Sequence, residues 1–317
     1  MTAGGAPRRT PRAFRFGVVL RDARSASEWA EKARRLEGEG FDALLVSDHL
    51  VGDRVAPLVA LAAAAGATRT LRLGTLVLAN DFRHPALLAK EAATLDRLSD
   101  GRLELGLGAG WMQAEYAQAG LRFDPPGVRI ARLAESLAIL KGLWGDAAFS
   151  FAGRHYAIER GEQIPKPLQR PHPPLLIGGG GPALLRLAAR EAQAVNLTLR
   201  TRPDGSGPDP ADVGLAPLLR KLAILREAAD ARWDSLEIGT SVWALAVGSG
   251  AAAARSAFLA GFVESMADTP NVLAGEVPAI VEKLLRWRDE HAISCYALQD
   301  EAFADAFVPI VARLAGS

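Results

Sequence analysis

The sequence predicts an α/β chain folded as a (β/α)8 TIM barrel with insertions, and three observations carry that prediction. Eight apolar runs of strand length recur along the 317 residues, and most are followed by a segment with helical spacing. The runs are apolar almost throughout rather than alternating, the pattern of parallel strands buried on both faces. Eight such pairs in about 300 residues suit one closed barrel. A doubly wound open sheet would use the same elements and is the alternative.

The first run is "FRFGVVL" (14–20). "SEWAEKARRLEGEG" (27–40) then sets Trp29, Ala33 and Leu36 on one helical face, with Gly40 just past the end. "DALLVSD" (42–48) is the second strand, and Pro57 opens a helix through Ala67. "LRLGTLVLA" (71–79) reads as one continuous third strand, Pro85 starts the next helix, and "RLELGLG" (102–108) is the fourth strand. "VRIARLAESLAILKGLW" (128–144) is a long amphipathic helix, and "FSFAGRHYAIE" (149–159) alternates around Gly153 as a small hairpin. "PPLLIGG" (173–179) and "AVNLTL" (194–199) are the fifth and sixth strands, with "PALLRLAAREA" helical between them. A Pro/Gly/Asp loop (202–212) leads into a helix ending at Arg232. "SLEIGTSVWALAV" (235–247) reads as a single seventh strand, and residues 249–275 are expected to hold extra helices. A helix (275–291), the eighth strand "ISCYALQ" (293–299) and a closing helix (301–314) complete the series. Residues 14–317 read as one domain behind a disordered N-terminal tail, 1–13.

Composition removes several classes of function. Apolar residues make up 49% and charged residues 23%, an ordinary balance for a water-soluble chain. The formal charge of +1 provides no basic face of the size nucleic acid needs. Cys295 is the only cysteine, which excludes an intrachain disulfide or a cysteine metal cluster and fits a reducing cytoplasm. "VAPLVALAAAAGA" is too short and Ala-rich to span a bilayer, and the tail "MTAGGAPRRTPRA" lacks the apolar core of a secretory signal. A cytoplasmic location without membrane or nucleic-acid partners is therefore expected.

The chemistry is expected where barrel strands end, on the C-terminal rim. "GRLELGLGAGWM" (101–112) carries G-x-G-x-G on the fourth strand. A dinucleotide fingerprint would be G-x-G-x-x-G on the first strand, so that reading is rejected. "LLIGGGGPALL" (175–185) sets four glycines before a helix starting at Pro182. Free backbone N–H groups and the helix dipole there would seat an anion or phosphate, with a glycine-relieved turn as the plainer alternative. "SDHL" ends the second strand with Asp48 and His49; a rim histidine can hold or deliver a proton, or be a satisfied structural group. "LANDFRHP" (78–85) is either a ligand wall or a helix entry, and His84 before Pro85 reads as extended and structural.

At these residues the chain resembles the luciferase-like monooxygenase superfamily, and within it the oxidoreductases that use the deazaflavin coenzyme F420. The resemblance rests on "FDALLVSDHL", "LRLGTLVLANDFRHPALLAKEAATLDRLSDGRLELGLGAGW", "DPPGVRIARLAESLAILKGLW" and "LLIGGGG", and spans about residues 14–314. It implies a barrel with the flavin or deazaflavin over the C-terminal rim, usually in a homodimer. It implies that Asp48 and His49 lie beside the ring as catalytic residues. It also implies a bulge with a non-proline cis peptide at Leu76–Val77 behind the ring. Asn80 would join the same wall. The loop Ala109, Gly110 and Trp111 and the run Gly178, Gly179, Gly180 and Gly181 would hold the ribityl phosphate. No metal is implied.

The sugar-phosphate dehydrogenases of this group carry a carboxylate after the glycine loop, where this chain has Trp111. They also carry an aromatic shortly after "SDH", where this chain has "LVGDR". Both departures argue against glucose 6-phosphate. Glu115 is the alternative source of the carboxylate, but reads rather as a surface helix residue. Three functions follow: an F420-dependent oxidoreductase acting on a small organic substrate, an FMN-dependent monooxygenase fed by a separate reductase, or a barrel that has lost its cofactor. FMN binders of the group often place an arginine where Ala109 stands, which favours F420. The pair Asp48–His49 and the glycine run argue against the third. The substrate pocket would come from residues 52–56, 111–127, 200–212 and 249–275.

Overall fold

In the computed structural model, residues 10–162, 164–202, 204, 206–248 and 254–317 are described. The first half runs β1 (Arg15–Leu20), α1 (Ala26–Gly38), β2 (Ala43–Val46), α2 (Pro57–Ala67), β3 (Arg72–Thr75), β4 (Leu78–Ala79), α3 (Pro85–Leu98), β5 (Leu103–Gly108), α4 (Gln113–Gln118) and α5 (Pro126–Trp144). It continues with β6 (Phe149–Ala152), β7 (Ala157–Gly161), β8 (Leu175–Gly179), α6 (Pro182–Glu191), β9 (Ala194–Leu197), α7 (Leu215–Ala229), β10 (Glu237–Val242) and β11 (Ala244–Val247). The last elements are β12 (Val272–Gly275), α8 (Val277–His291), β13 (Ile293–Leu298) and α9 (Ala304–Leu314).

Parallel pairing closes the sheet. Val18 of β1 lies opposite Leu298 of β13 on one side and Leu44 of β2 on the other. The ring continues β2–β3–β5–β8–β9–β10–β13, and the contact of Leu73 with Leu103 between β3 and β5 leaves no edge. An open doubly wound sheet would have two edges, so the closed barrel is the fold. Its strands are buried on both faces because helices cover the outside, which is why they read as unbroken apolar runs.

Polar atoms inside the shell are placed rather than excluded. The Trp29 indole donates to Ala60 O at 2.8 Å and the Trp144 indole to Ala89 O at 2.9 Å, so two large rings are buried without an orphan N–H. At the N-terminal end of the barrel Arg15 pairs with Glu237 at 2.9 Å and with Glu104, which also pairs with Arg72. This end carries structural ion pairs, and the loops free to do chemistry gather at the other.

The structure departs from the sequence reading in three places. The third strand is not continuous: it breaks into β3 and β4 around a cis Leu76–Val77 peptide, the bond the resemblance implied. The seventh strand also divides. β10 stays in the barrel, and β11 leaves it after Trp243 to pair in parallel with β12. The extra helices expected at 249–275 do not form among the described residues, which hold β12 and a single 3-10 turn, Glu264–Met266; residues 249–253 lie outside them. Both breaks were hidden because the residues stay apolar on each side. Of the expected tail, residues 1–9 also lie outside, and Arg12 donates to Ser235 O at 2.6 Å as the chain enters β1.

Candidate active site

The glycines of β5 now have a physical reason. Val77, at the bulge between β3 and β4, packs against β5 and β8. A Cβ on Gly108 would lie 2.7 Å from Val77 Cγ2, and one on Gly178 would lie 2.9 Å from Val77 Cγ1. One on Gly106 would lie 1.9 Å from Thr75 O. The alternation Gly106–Leu107–Gly108 is thus a groove that lets the bulge approach. Gly110 has φ +74, and a Cβ there would strike the Tyr116 hydroxyl.

Within the glycine run the four positions differ. Gly178 faces Val77, Gly179 faces Leu184, and a Cβ on Gly180 would strike Thr198 O. Gly181 is open, with nothing within 4 Å of where a Cβ would sit, and it is the N-cap of α6 without any side-chain cap. Three of the four therefore serve packing, and the open helix end at Gly181 is the part suited to an anion.

Asp48 is buried at the end of the β2 run. One oxygen accepts the Ala79 N–H at 3.0 Å and the other accepts from Arg83 at 3.1 Å, with a second Arg83 contact to the first. This bidentate pair locks β4 and the bulge to β2. Asn80 is buried beside it, its amide within 3.3 Å of Asp81 and 3.5 Å of the Tyr156 hydroxyl. His84 caps α3, accepting the Ala86 N–H, with extended backbone (φ −68, ψ 132), the structural role read from the sequence.

His49 stands at the rim with a defined partner. Its Nδ1 lies 2.9 Å from Glu115 Oε1, which also accepts the Leu50 N–H at 2.9 Å. Burial works to raise the Glu115 pKa, yet the His49 hydrogen bond and charge and the backbone N–H groups hold it below the usual carboxylate range. An ionised carboxylate only accepts, so Nδ1 carries the proton and Nε2 is left for exchange. Trp111 meets His49 edge-on, with ring centroids 6.1 Å apart. The expectation of Glu115 as a surface residue is corrected: it is 3% exposed, because the loop after β2 folds over the short helix α4.

A second network, missed in the sequence, braces the other side. Asp81 accepts from the Tyr116 hydroxyl at 3.1 Å and pairs with Arg132 at 3.0 Å, and Arg132 also pairs with Asp124 at 2.8 Å. Arg129 donates to Ala109 O at 3.2 Å and lies over the Phe123 ring. The available signal was Arg129 and Arg132, three apart on α5 and so on one face. The structure thus gathers Asp48, His49, Trp111, Asn80, Ala109 and the bulge at 76–77 on the rim of β2 to β5. The Gly178–Gly181 run follows next, on β8.

A profile of the luciferase-like monooxygenases matches residues 13–276. The chain belongs to the luciferase-like monooxygenase family. An F420-dependent glucose-6-phosphate dehydrogenase of Nakamurella multipartita is 34% identical over 236 residues, 72% of this chain and 66% of that one. One of Amycolatopsis mediterranei is 34% identical over 167 residues, 50% of each. The chain spans between half and two thirds of the length of these curated relatives. Among solved luciferase-like folds, a monooxygenase of Streptomyces bottropensis superposes with a TM-score of 0.73 at 23% identity, covering 95% of this chain and 98% of that one. The coenzyme F420 dependent tetrahydromethanopterin reductase of Methanopyrus kandleri also reaches 0.73, at 16% identity, covering 96% and 98%. The luciferase-like barrel is common to both chemistries.

Proposed function

We propose that this protein is an oxidoreductase that exchanges a hydride between coenzyme F420 and a small organic substrate. The observation that carries the reading is His49, held through Nδ1 by Glu115 at 2.9 Å and set edge-on to Trp111, on the same rim as the bulge at Leu76–Val77. The residues fit the coenzyme. Gly181 and the uncapped end of α6 suit its phosphate, and Leu76, Val77, Asn80, Ala109 and Gly110 are the residues we assign to the wall against its ring. When bound, the deazaflavin supplies the redox chemistry.

The chain's own residues do the rest. His49 Nε2 takes the proton that leaves a substrate hydroxyl, or returns it to a carbonyl. Asp48 has both oxygens engaged by Arg83 and Ala79, so it positions β4 and acts through it. Trp111 forms an apolar wall that keeps water from His49. The names of the curated relatives support the F420 assignment. Trp111 in place of a carboxylate supports a substrate other than glucose 6-phosphate.

The second reading is an FMN-dependent monooxygenase supplied by a separate reductase, favoured by the similarity of the fold to monooxygenases. A homodimer in the cytoplasm completes the proposal. No described helix is long and apolar enough to cross a membrane. The test is a tryptophan-fluorescence titration with oxidised F420 and, separately, FMN. Tight binding of F420 with weak binding of FMN supports the hydride-transfer reading. The reverse preference overturns it in favour of oxygen chemistry.

A further inference from the structure

We infer that Arg21 and Arg54 form a second anion seat in the barrel mouth and that it takes a carboxylate or phosphate group of the substrate. The inference rests on the F420 reading of the site.

Arg21 directly follows β1, and Arg54 lies in the loop leaving β2. The Val55 N–H donates to Arg21 O at 3.0 Å, which ties that loop to the end of β1 and brings both arginines into one sector. Neither guanidinium is satisfied by the protein. Arg21 donates one N–H to Gln299 O, while its buried Nε has no hydrogen-bond partner. Arg54 is half-buried and makes no hydrogen bond or ion pair with a described residue. The carboxylates whose charge reaches Arg54 are Glu115 and Asp22. Glu115 is committed to His49, and Asp22 stands 3.5 Å from Lys32.

Two cations brought together and partly desolvated without a carboxylate paired directly to either are unfavourable in the free protein. Burial and the charge of Arg21 both push Arg54 below the ordinary arginine value. A ligand anion relieves both effects, and the planar fork of arginine matches a carboxylate or phosphate.

Position separates this seat from the one at Gly181. In the ring of eight strands β8 is four places from β1, so the end of α6 and the two arginines face each other across the mouth. An anion at Gly181 leaves the far sector open. His49 follows β2, the neighbour of β1, and so lies in the arginine sector. A substrate with its anion on Arg21 and Arg54 would bring a nearby carbon to His49.

The test uses the full chain loaded with F420, titrated with 4-oxopentanoate, 5-oxohexanoate and 4-oxo-4-phenylbutanoate and with their methyl esters. At least one acid should bind about tenfold more tightly than its ester, the scale of a charge-assisted contact. R54Q should remove that preference, R54K should keep part of it, and F420 affinity should be unchanged in both. Thermal melts establish that the variants are folded; R54Q, in a loop, is the primary variant and R21Q the second. No preference in any pair, or a preference that survives both R54Q and R21Q, overturns the seat. A parallel arm compares F420 with its tail-free phosphate form. If R54Q weakens only the tailed coenzyme, the arginines hold the glutamate tail and the substrate assignment fails. Absence of F420 binding by the unaltered chain sinks the functional reading instead, and the acid–ester pairs then test the seat on the apo protein.

Discussion

Glu115 directs three donors to one oxygen: His49 Nδ1, Leu50 N–H and, more loosely, Val51 N–H at 3.4 Å. Replacing it with Gln keeps an acceptor for the loop but removes the charge that fixes the histidine proton. E115Q should lower kcat by about tenfold to a hundredfold, with KM and F420 affinity changing far less. His49→Ala, which removes the exchanging group itself, should cost about 10²–10⁴ in kcat. Equal losses of F420 affinity and kcat in E115Q would mean that Glu115 only holds the loop. Asp48 and His49 were legible because they close an apolar run in four residues, "SDHL". Glu115 was named only as an alternative carboxylate, and its burial was not legible, since "MQAEYAQAG" is a short polar stretch with no apolar face of its own. Its burial comes from a loop 66 positions away.

Strand β5 and the glycine run teach a related lesson. The barrel was readable from β/α alternation, because burial of parallel strands by helices leaves an unbroken apolar pattern. The glycines were visible as a pattern, but their cause was not: Val77 reaches Gly108 and Gly178 only after the sheet has closed. The break at Trp243 was hidden because Val242, Trp243 and Ala244 carry an apolar run across it. Two substitutions separate packing glycines from open ones. G106A places a methyl 1.9 Å from the Thr75 carbonyl oxygen, a backbone atom that cannot swing away. It should destabilise the fold by about 1–3 kcal/mol in urea unfolding, the usual cost of overpacking. G181A meets nothing within 4 Å at ordinary φ and should stay within about 0.5 kcal/mol. Backbone entropy alone would stabilise both variants, since alanine narrows the unfolded ensemble, so equal losses would show that the space a Cβ meets does not govern these positions.

The barrel as a unit should respond to pH and to the proposed coenzyme in definite ways. Glu37 accepts backbone N–H groups from Arg69, Thr70 and Leu71 at 2.8, 2.6 and 2.9 Å, joining α1 to the turn before β3. Burial would push its pKa up, but these hydrogen bonds outweigh that and hold it at about 2, against 4.5 unfolded. Its contribution is therefore full above pH 4.5 and is lost as pH falls through about 2. The melting point of E37Q should lie below that of the unaltered chain at pH 7, and the gap should close across that acid window. A gap constant with pH would mean that the carboxylate's charge contributes nothing. Coenzyme binding gives the converse effect, because a ligand that binds only the folded barrel stabilises it by RT ln(1 + [L]/Kd). At a hundredfold excess over Kd this is about 2.7 kcal/mol. For a chain of this size that raises the melting point by about 5 °C. F420 should produce such a shift and FMN should not. H49A should retain the full shift, since His49 handles a proton and not the phosphate. G181D should lose most of it, because a carboxylate at the open end of α6 repels the phosphate that the helix dipole attracts. A shift with FMN alone would move the protein to oxygen chemistry. A full F420 shift in G181D would remove the phosphate from α6 while leaving the hydride-transfer reading intact.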